Sequence, residues 1–267
     1  MYLEYWQLKE RPFENVPDPR FFYLSNIHQE ALMRLLYTAR EEKLGCYMIG
    51  VHGCGKTTVL NVFEEHIKDQ GFNIISTSNP LLPWKEFLKE IVYRLGVSEF
   101  PQETVDILHI IEEKLVNIKS QNIHTLLIID EAHLLGEELM EELRLLLNIE
   151  YNNRTCLSII LSGQPELSEK IDSFPQFKQR LPIRYFVNPL DEQDTKNYIE
   201  HRLKIAGAQR KIFDDACFDL IYEFTGGNPR SINNLCDIAL LIGMGKSLPY
   251  VDTDVVKEVI EDLSKKY

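Results

Sequence analysis

Eight consecutive residues carry the sharpest chemical signal in this chain. Gly50-Val51-His52-Gly53-Cys54-Gly55-Lys56-Thr57 fits the pattern G-x-x-x-x-G-K-[ST]. Glycines at those spacings let a backbone wrap and aim its N–H groups at phosphate oxygens, and a following helix adds the positive end of its dipole. Lys56 supplies a charge for β and γ phosphates, and Thr57 a hydroxyl for Mg²⁺. Thr58 completes the run. His52 and Cys54 stand at positions where the pattern accepts any residue. Cys54 sits where a helix N-terminus would lower a thiol's pKa, which raises a redox role as a minor alternative.

A second constellation lies at Leu126-Leu127-Ile128-Ile129-Asp130-Glu131, an apolar run that ends in two acids. A buried strand has no packing reason to end so. In phosphate-loop chemistry the first acid, Asp130, holds Mg²⁺, and the second, Glu131, activates the attacking water. A strand-end turn with a helix cap is the plainer alternative. Asp130-Glu131-Ala132-His133 also spells a helicase box, but such helicases need two tandem sheet domains, and the strand count here suits one.

Three further polar groups can act on a bound phosphate. Gln164, and second to it Ser162, follow the apolar run Cys156–Leu161 and can report on a γ-phosphate, although an ordinary turn competes for this stretch. Arg180, with Arg184 as the alternative, is a candidate arginine finger offered to a neighbouring subunit. In Gly226-Gly227-Asn228-Pro229-Arg230 the glycines can end one helix, and Asn228 and Pro229 cap and open the next. Arg230 then falls in a first turn, where the helix dipole disfavours a cation. A local rule broken inside good capping suggests a nearby anion.

The elements that must position these groups read as an α/β architecture. Apolar or β-branched runs at Cys46–Ile49, Phe72–Thr77, Thr125–Ile129, Cys156–Leu161 and Ile183–Val187 predict five strands. Amphipathic stretches at Thr57–Lys68, Pro83–Leu95, Glu103–Ile118 and Glu137–Asn148 predict the helices between them. Strands alternating with helices imply a mainly parallel sheet covered on both faces. Beyond Pro189-Leu190 only helices are expected, over Glu192–Ala206, Phe213–Phe224, Ser231–Ile242 and Asp254–Leu263. The expected organisation is an arm over 1–24, rich in aromatics and proline and extended, then an α/β nucleotide-binding domain over 25–190 and a small helical lid domain over 191–267.

Composition narrows the class. Hydrophobic residues make up 44% and charged residues 26% of the chain, which describes an ordinary globular protein rather than a disordered one. Neither a bilayer-spanning apolar run nor a secretory leader is evident, so a cytoplasmic protein without direct membrane insertion is expected. Five cysteines, none in a C-x-x-C pair, read as reduced thiols. The net charge of −12 argues against non-specific nucleic-acid binding.

Taken together the motifs resemble those of AAA+ ATPases, and more narrowly the general secretion pathway protein A (ExeA-type) family. The narrower likeness rests on Leu8-Lys9-Glu10-Arg11-Pro12-Phe13, Pro17-Asp18-Pro19-Arg20-Phe21, Tyr23-Leu24-Ser25 with His28-Gln29-Glu30-Ala31-Leu32, Gly163-Gln164-Pro165-Glu166-Leu167, Gln179-Arg180-Leu181 and Gly227-Asn228-Pro229-Arg230. It runs over nearly the whole chain. Longer members continue into a transmembrane helix and a peptidoglycan-binding region, and this sequence stops after the helical segment. The resemblance implies ATP and Mg²⁺ as cofactors and a homo-oligomer driving a protein client in secretion or envelope assembly. The expected place of action is the cytoplasm, or the periphery of the inner membrane through a partner. Related modules imply the alternative of DNA plus a transposase. The family pattern also implies that Phe13, Pro17 and Tyr23 wall an adenine pocket, with plain packing of the arm as the competing expectation.

Overall fold

In the computed structural model, residues 2–97 and 103–265 are described. The chain forms two compact units. One contains residues 30–51 and 59–187. The other contains the residues up to Gln29, His52–Thr58 and the residues from Asn188 onward.

The first unit is built on strands β1 (Gly45–Ile49), β2 (Phe72–Thr77), β3 (His124–Ile129), β6 (Leu157–Gly163) and β7 (Ile183–Phe186), with a hairpin of β4 (Glu150–Tyr151) and β5 (Arg154–Thr155) between β3 and β6. The five longer strands pair in the order β2-β3-β6-β1-β7, and all these pairings are parallel. β1, β3 and β6 are buried along their whole length, which is why each is a continuous apolar run rather than an alternating one. On β6, Leu157, Ile159 and Leu161 join one hydrophobic core, with Phe87 and Ile91 of α4 (Trp84–Arg94), Ile111 of α5 (Thr104–Ser120) and Leu143 of α6 (Glu137–Leu146). The intervening Ser158, Ile160 and Ser162 point to the other face, as the two-residue period of a strand requires. Short helices α7 (Glu166–Ser173) and α8 (Pro175–Lys178) lead into β7.

At the amino end of the strands lies a buried polar cluster. Lys119 Nζ, 4% exposed, is 2.7 Å from Glu42 Oε2 and 3.1 Å from His124 Nδ1. His124 Nε2 is 2.7 Å from Ser158 Oγ. Burial, and then the Lys119 charge, push the His124 pKa down to about 4, so its ring is neutral and accepts from the ammonium.

The second unit is helical: α9 (Glu192–Ile205), α10 (Ala216–Thr225), α11 (Pro229–Gly245) and α12 (Thr253–Ser264). Ile199, Ile221, Leu235, Ala239 and Val259 form its centre. α10 starts at Ala216 rather than at the expected Phe213, because Phe213 pairs as a single bridge with Val251. The arm over 1–24 is expected to be extended and packed on something; it is packed, and part of it is helical rather than extended. Tyr2–Trp6 is helix α1 and Pro19–Phe21 is one 3-10 turn. Trp6, Leu8, Phe13 and Phe21 are buried in the helical core itself. Trp6 donates its indole N–H to Leu240 O at 2.9 Å, and the Arg202 guanidinium donates to the backbone oxygens of Pro12 and Glu14. The physical reason is apolar area: four large side chains have more to gain in a core than along an exposed strand.

The chain passes between the units inside α2 (Asn26–Arg40) and near the start of α3 (Lys56–Ile67). No helix among the described residues is long and apolar enough to cross a membrane.

Candidate functional site

The glycine-rich loop leaves the carboxyl end of β1, where Gly50 N donates to Gly163 O at 3.1 Å. Three successive loop carbonyls then accept bonds within the helical unit. Asn228 Nδ2 donates to His52 O at 2.8 Å, Arg230 N to Gly53 O at 3.3 Å, and His28 Nε2 to Cys54 O at 3.0 Å. In a trans peptide the N–H of the next residue points opposite to the carbonyl. The N–H groups of Gly53, Cys54 and Gly55 are thereby turned away from those donors. Gly53 and Gly55 have φ of +83° and +95°, in the left-handed region. A Cβ on Gly53 would lie 2.7 Å from both Arg230 Cβ and Asn228 Oδ1, and one on Gly55 would lie 2.8 Å from His28 Nε2. Lys56 opens α3 and is buried, whereas Thr57 beside it is exposed. Thr58 is half-buried and Val51 exposed. The loop fits a nucleotide's phosphates.

His28 is legible in the sequence only as part of a resemblance, not as chemistry. It is buried, and burial lowers its pKa, so the ring is neutral. The bond to Cys54 O then requires the proton on Nε2, and Nδ1 accepts from Ser25 Oγ at 2.8 Å. Ser25 also accepts from His28 N at the start of α2. The spacing Ser25-x-x-His28 is the available signal. Cys54 itself is 0% exposed, and burial pushes its thiol pKa up, against the lowered value that the redox alternative needs.

Asn228 caps α11 as its sequence context predicts, its side chain accepting from Arg230 N and Ser231 N. Arg230 is exposed in that first turn, and its Nη1 lies 2.5 Å from Nε2 of His52. The expected partner of this misplaced cation is an anion, and the structure adds the phosphate loop's own histidine.

In the sheet unit, Asp130 is buried at the end of β3, with its backbone N donating to Thr77 O at 3.0 Å. Its Oδ1 accepts from Glu131 N at 2.9 Å. Glu131 has φ +53° and ψ +31°, a left-handed conformation that a glutamate rarely adopts. The 3-10 turn Ala132–Leu134 follows. Glu131 Oε2 lies 3.3 Å from His133 Nδ1, and Gln164 Nε2 lies 3.1 Å from His133 Nε2. The fold thus brings Glu131 and Gln164 onto one imidazole that the chemistry of the motifs does not single out. Ser162 is fully buried, and its Oγ has no hydrogen-bond partner among the described residues. Arg180 is half-buried and donates to Asn148 Oδ1; Arg184 is exposed on β7.

Phe13, expected to wall an adenine pocket, is 3% exposed and packs edge-on to Phe213 at 6.3 Å. This is a packed position, as the competing expectation for the arm describes, although its neighbours lie in the helical core. Tyr23 donates its hydroxyl to Asp194 at 2.8 Å, and Pro17 is exposed.

The fold and loop define the class, and the comparisons agree. Residues 39–171 match the family model described as "AAA domain" (AAA_22). Over 249 residues, 92% of this chain, it is 30% identical to General secretion pathway protein A of Aeromonas hydrophila. The chain spans 45% of that relative's length. Among solved structures, Aeropyrum pernix ORC2 in its ADPNP-ADP complexes matches with a TM-score of 0.70 and 17% identity, over 95% of this chain and 72% of that one. Drosophila ORC bound to DNA matches with a TM-score of 0.74 and 14% identity, over 100% of this chain and 67% of that one. At these identities the two structures speak for the fold.

Proposed function

We propose that this AAA+ module binds ATP with Mg²⁺, hydrolyses it within a homo-oligomer, and uses the cycle to assemble or remodel partner proteins. The observation that carries this reading is the loop, whose three engaged carbonyls turn successive N–H groups away from the donors that hold it. Gly50, Val51, His52, Gly53, Cys54, Gly55, Lys56, Thr57 and Thr58 bind the phosphates, with Lys56 as the charge. Mg²⁺, when bound, neutralises charge on the transferring phosphoryl group, and the hydroxyl of Thr57 and the carboxylate of Asp130 are the hard oxygen donors that would hold it. Glu131 accepts the proton of the attacking water. Gln164 and Arg230 respond to the γ-phosphate, and Arg180 acts on the site of a neighbouring copy. Pro17 and Tyr23 stay assigned to the base. The likeness to General secretion pathway protein A points to a client in secretion or envelope assembly, reached in the cytoplasm or through a partner at the inner membrane.

ATP binding and hydrolysis by the full chain test this. Lys56→Ala is expected to lose binding. Glu131→Gln is expected to keep ATP bound while turnover falls about 100-fold or more. Wild-type turnover in that variant would remove Glu131 as the base. Arg180→Ala mixed with Lys56→Ala is expected to regain activity, and no regain at high concentration would remove the finger.

A second reading, a regulator that assembles on DNA and engages a transposase, draws on the likeness to an ORC solved bound to DNA. The net charge of −12 favours the protein client. ATP-dependent DNA binding with a steep salt slope would reverse that preference.

A further inference from the structure

His133 stands where nothing so far assigns it a task. Its side chain is 12% exposed and both ring nitrogens are engaged, Nδ1 with Glu131 and Nε2 with Gln164. Neutral imidazole has one donor and one acceptor. With the Gln164 amide nitrogen facing Nε2, that nitrogen must be the acceptor, so the proton sits on Nδ1 and is donated to Glu131. A competing contact exists: the backbone N–H of Gln164 approaches the same Nδ1 at 3.4 Å. Nδ1 can accept it only as a lone pair, which requires the proton on Nε2 and the Gln164 amide turned to present its oxygen. A ring carrying one proton therefore has two arrangements. In one, Nδ1–H holds the Glu131 carboxylate; in the other, that bond is gone.

The surroundings hold the ring in place while leaving this choice open. Lys170 Nζ, from α7, donates to the backbone oxygens of both His133 and Leu135 and pins the turn. Asp130 Oδ1 fixes the Glu131 N–H. The left-handed backbone of Glu131 persists only where the surroundings over-determine it. Glu131, Asp130 and Lys170 are the charged groups that face or adjoin the ring.

We propose that His133 is a positioning residue that couples the orientation of Gln164 to the Glu131 carboxylate through its tautomer. While Gln164 presents its amide N–H to Nε2, Glu131 is held on the ring. When the amide turns, one proton leaves Nδ1 to water and one is taken up at Nε2. Nδ1 then accepts from Gln164 N–H, and Glu131 is released. The inference rests on the assignment of Glu131 as the base.

A double-mutant cycle on the full chain tests it. His133→Phe and Gln164→Leu are each expected to change kcat by about tenfold, with the ATP Kd held within about twofold. The double variant is expected to match the larger single effect; multiplying effects would overturn the coupling. His133→Asn, which keeps a donor near the Nδ1 position, is expected to recover more than His133→Phe, and equal loss in both would count against it. A readout independent of hydrolysis is the imidazole ¹⁵N spectrum without nucleotide. The Nδ1–H tautomer is expected, shifting in Gln164→Leu, whereas an Nε2–H ring would overturn the proposal. A wild-type chain that fails to hydrolyse ATP would sink the proposed function, and the ring spectrum would still decide this inference.

Discussion

The loop in the helical unit and the acid pair in the sheet unit are held by different means. The loop is fixed through its backbone: three carbonyls are tied to Asn228, Arg230 and His28, and two glycines occupy the left-handed region where a glycine is at ease. The acid pair is held by its carboxylates as well as by the strand-end bond from Asp130 N to Thr77 O, and its left-handed residue is a glutamate. The first arrangement suits a ligand whose phosphate geometry never changes. The second keeps a carboxylate on exchangeable partners and stores strain at the residue assigned to the chemistry. Under the proposed function, binding rests on backbone and chemistry on a side chain.

Gly55→Ala puts this contrast under the greatest stress. A methyl group there would meet His28 Nε2 at 2.8 Å, in a backbone with φ of +95°. Strain of about 1–2 kcal/mol plus the lost His28 bond predicts at least about tenfold weaker ATP binding. Unaltered affinity by calorimetry would show that the loop is not held as described.

Acid should loosen the sheet unit at a defined place. His124 is neutral in the fold, with a pKa pushed down to about 4, against an ordinary value near 6.5 when unfolded. The unfolded chain therefore binds the extra proton between these two values. Stability is full above about pH 6.5, falls as pH drops toward 4, and loses nothing further from this group below that. The loss is on the order of 2–3 kcal/mol. Urea unfolding across that range should show the slope in the wild type and a weaker one in His124→Gln. Identical slopes would mean the cluster at Lys119 is not set by a neutral ring.

A smaller effect probes the contrast from the acid pair's side. Glu131→Gly should relieve the left-handed strain and raise stability by up to about 1 kcal/mol while abolishing turnover. The same exchange at a right-handed position would destabilise. A fall in melting temperature would show that the carboxylate's contact with His133 outweighs the backbone cost.

Much of this architecture is legible in the chain's local patterns. The five strands and the helices between them follow from apolar runs and period, because a sheet buried on both faces leaves no room for alternation. The hairpin at Glu150–Thr155 escapes such a reading, since two-residue strands carry too little pattern, although Asn152-Asn153 supplies its left-handed turn. The capping at Asn228 is readable because caps are local, made by a residue and the two or three that follow it. The arm reads as extended, and packed on something, because prolines interrupt it and aromatics crowd it. Where its aromatic rings bury is a question of distant partners.

The order of residues alone dictates which groups can touch a phosphate and which elements they stand on. Motif, period and cap are written within a dozen neighbouring residues. Long-range packing was needed to establish that His28 holds the loop from 26 residues away, that His52 meets Arg230 178 residues on, and that Glu131 and Gln164 share His133. Those pairings depend on where buried surfaces bring the chain back upon itself, and contact over such distances leaves no local pattern to read.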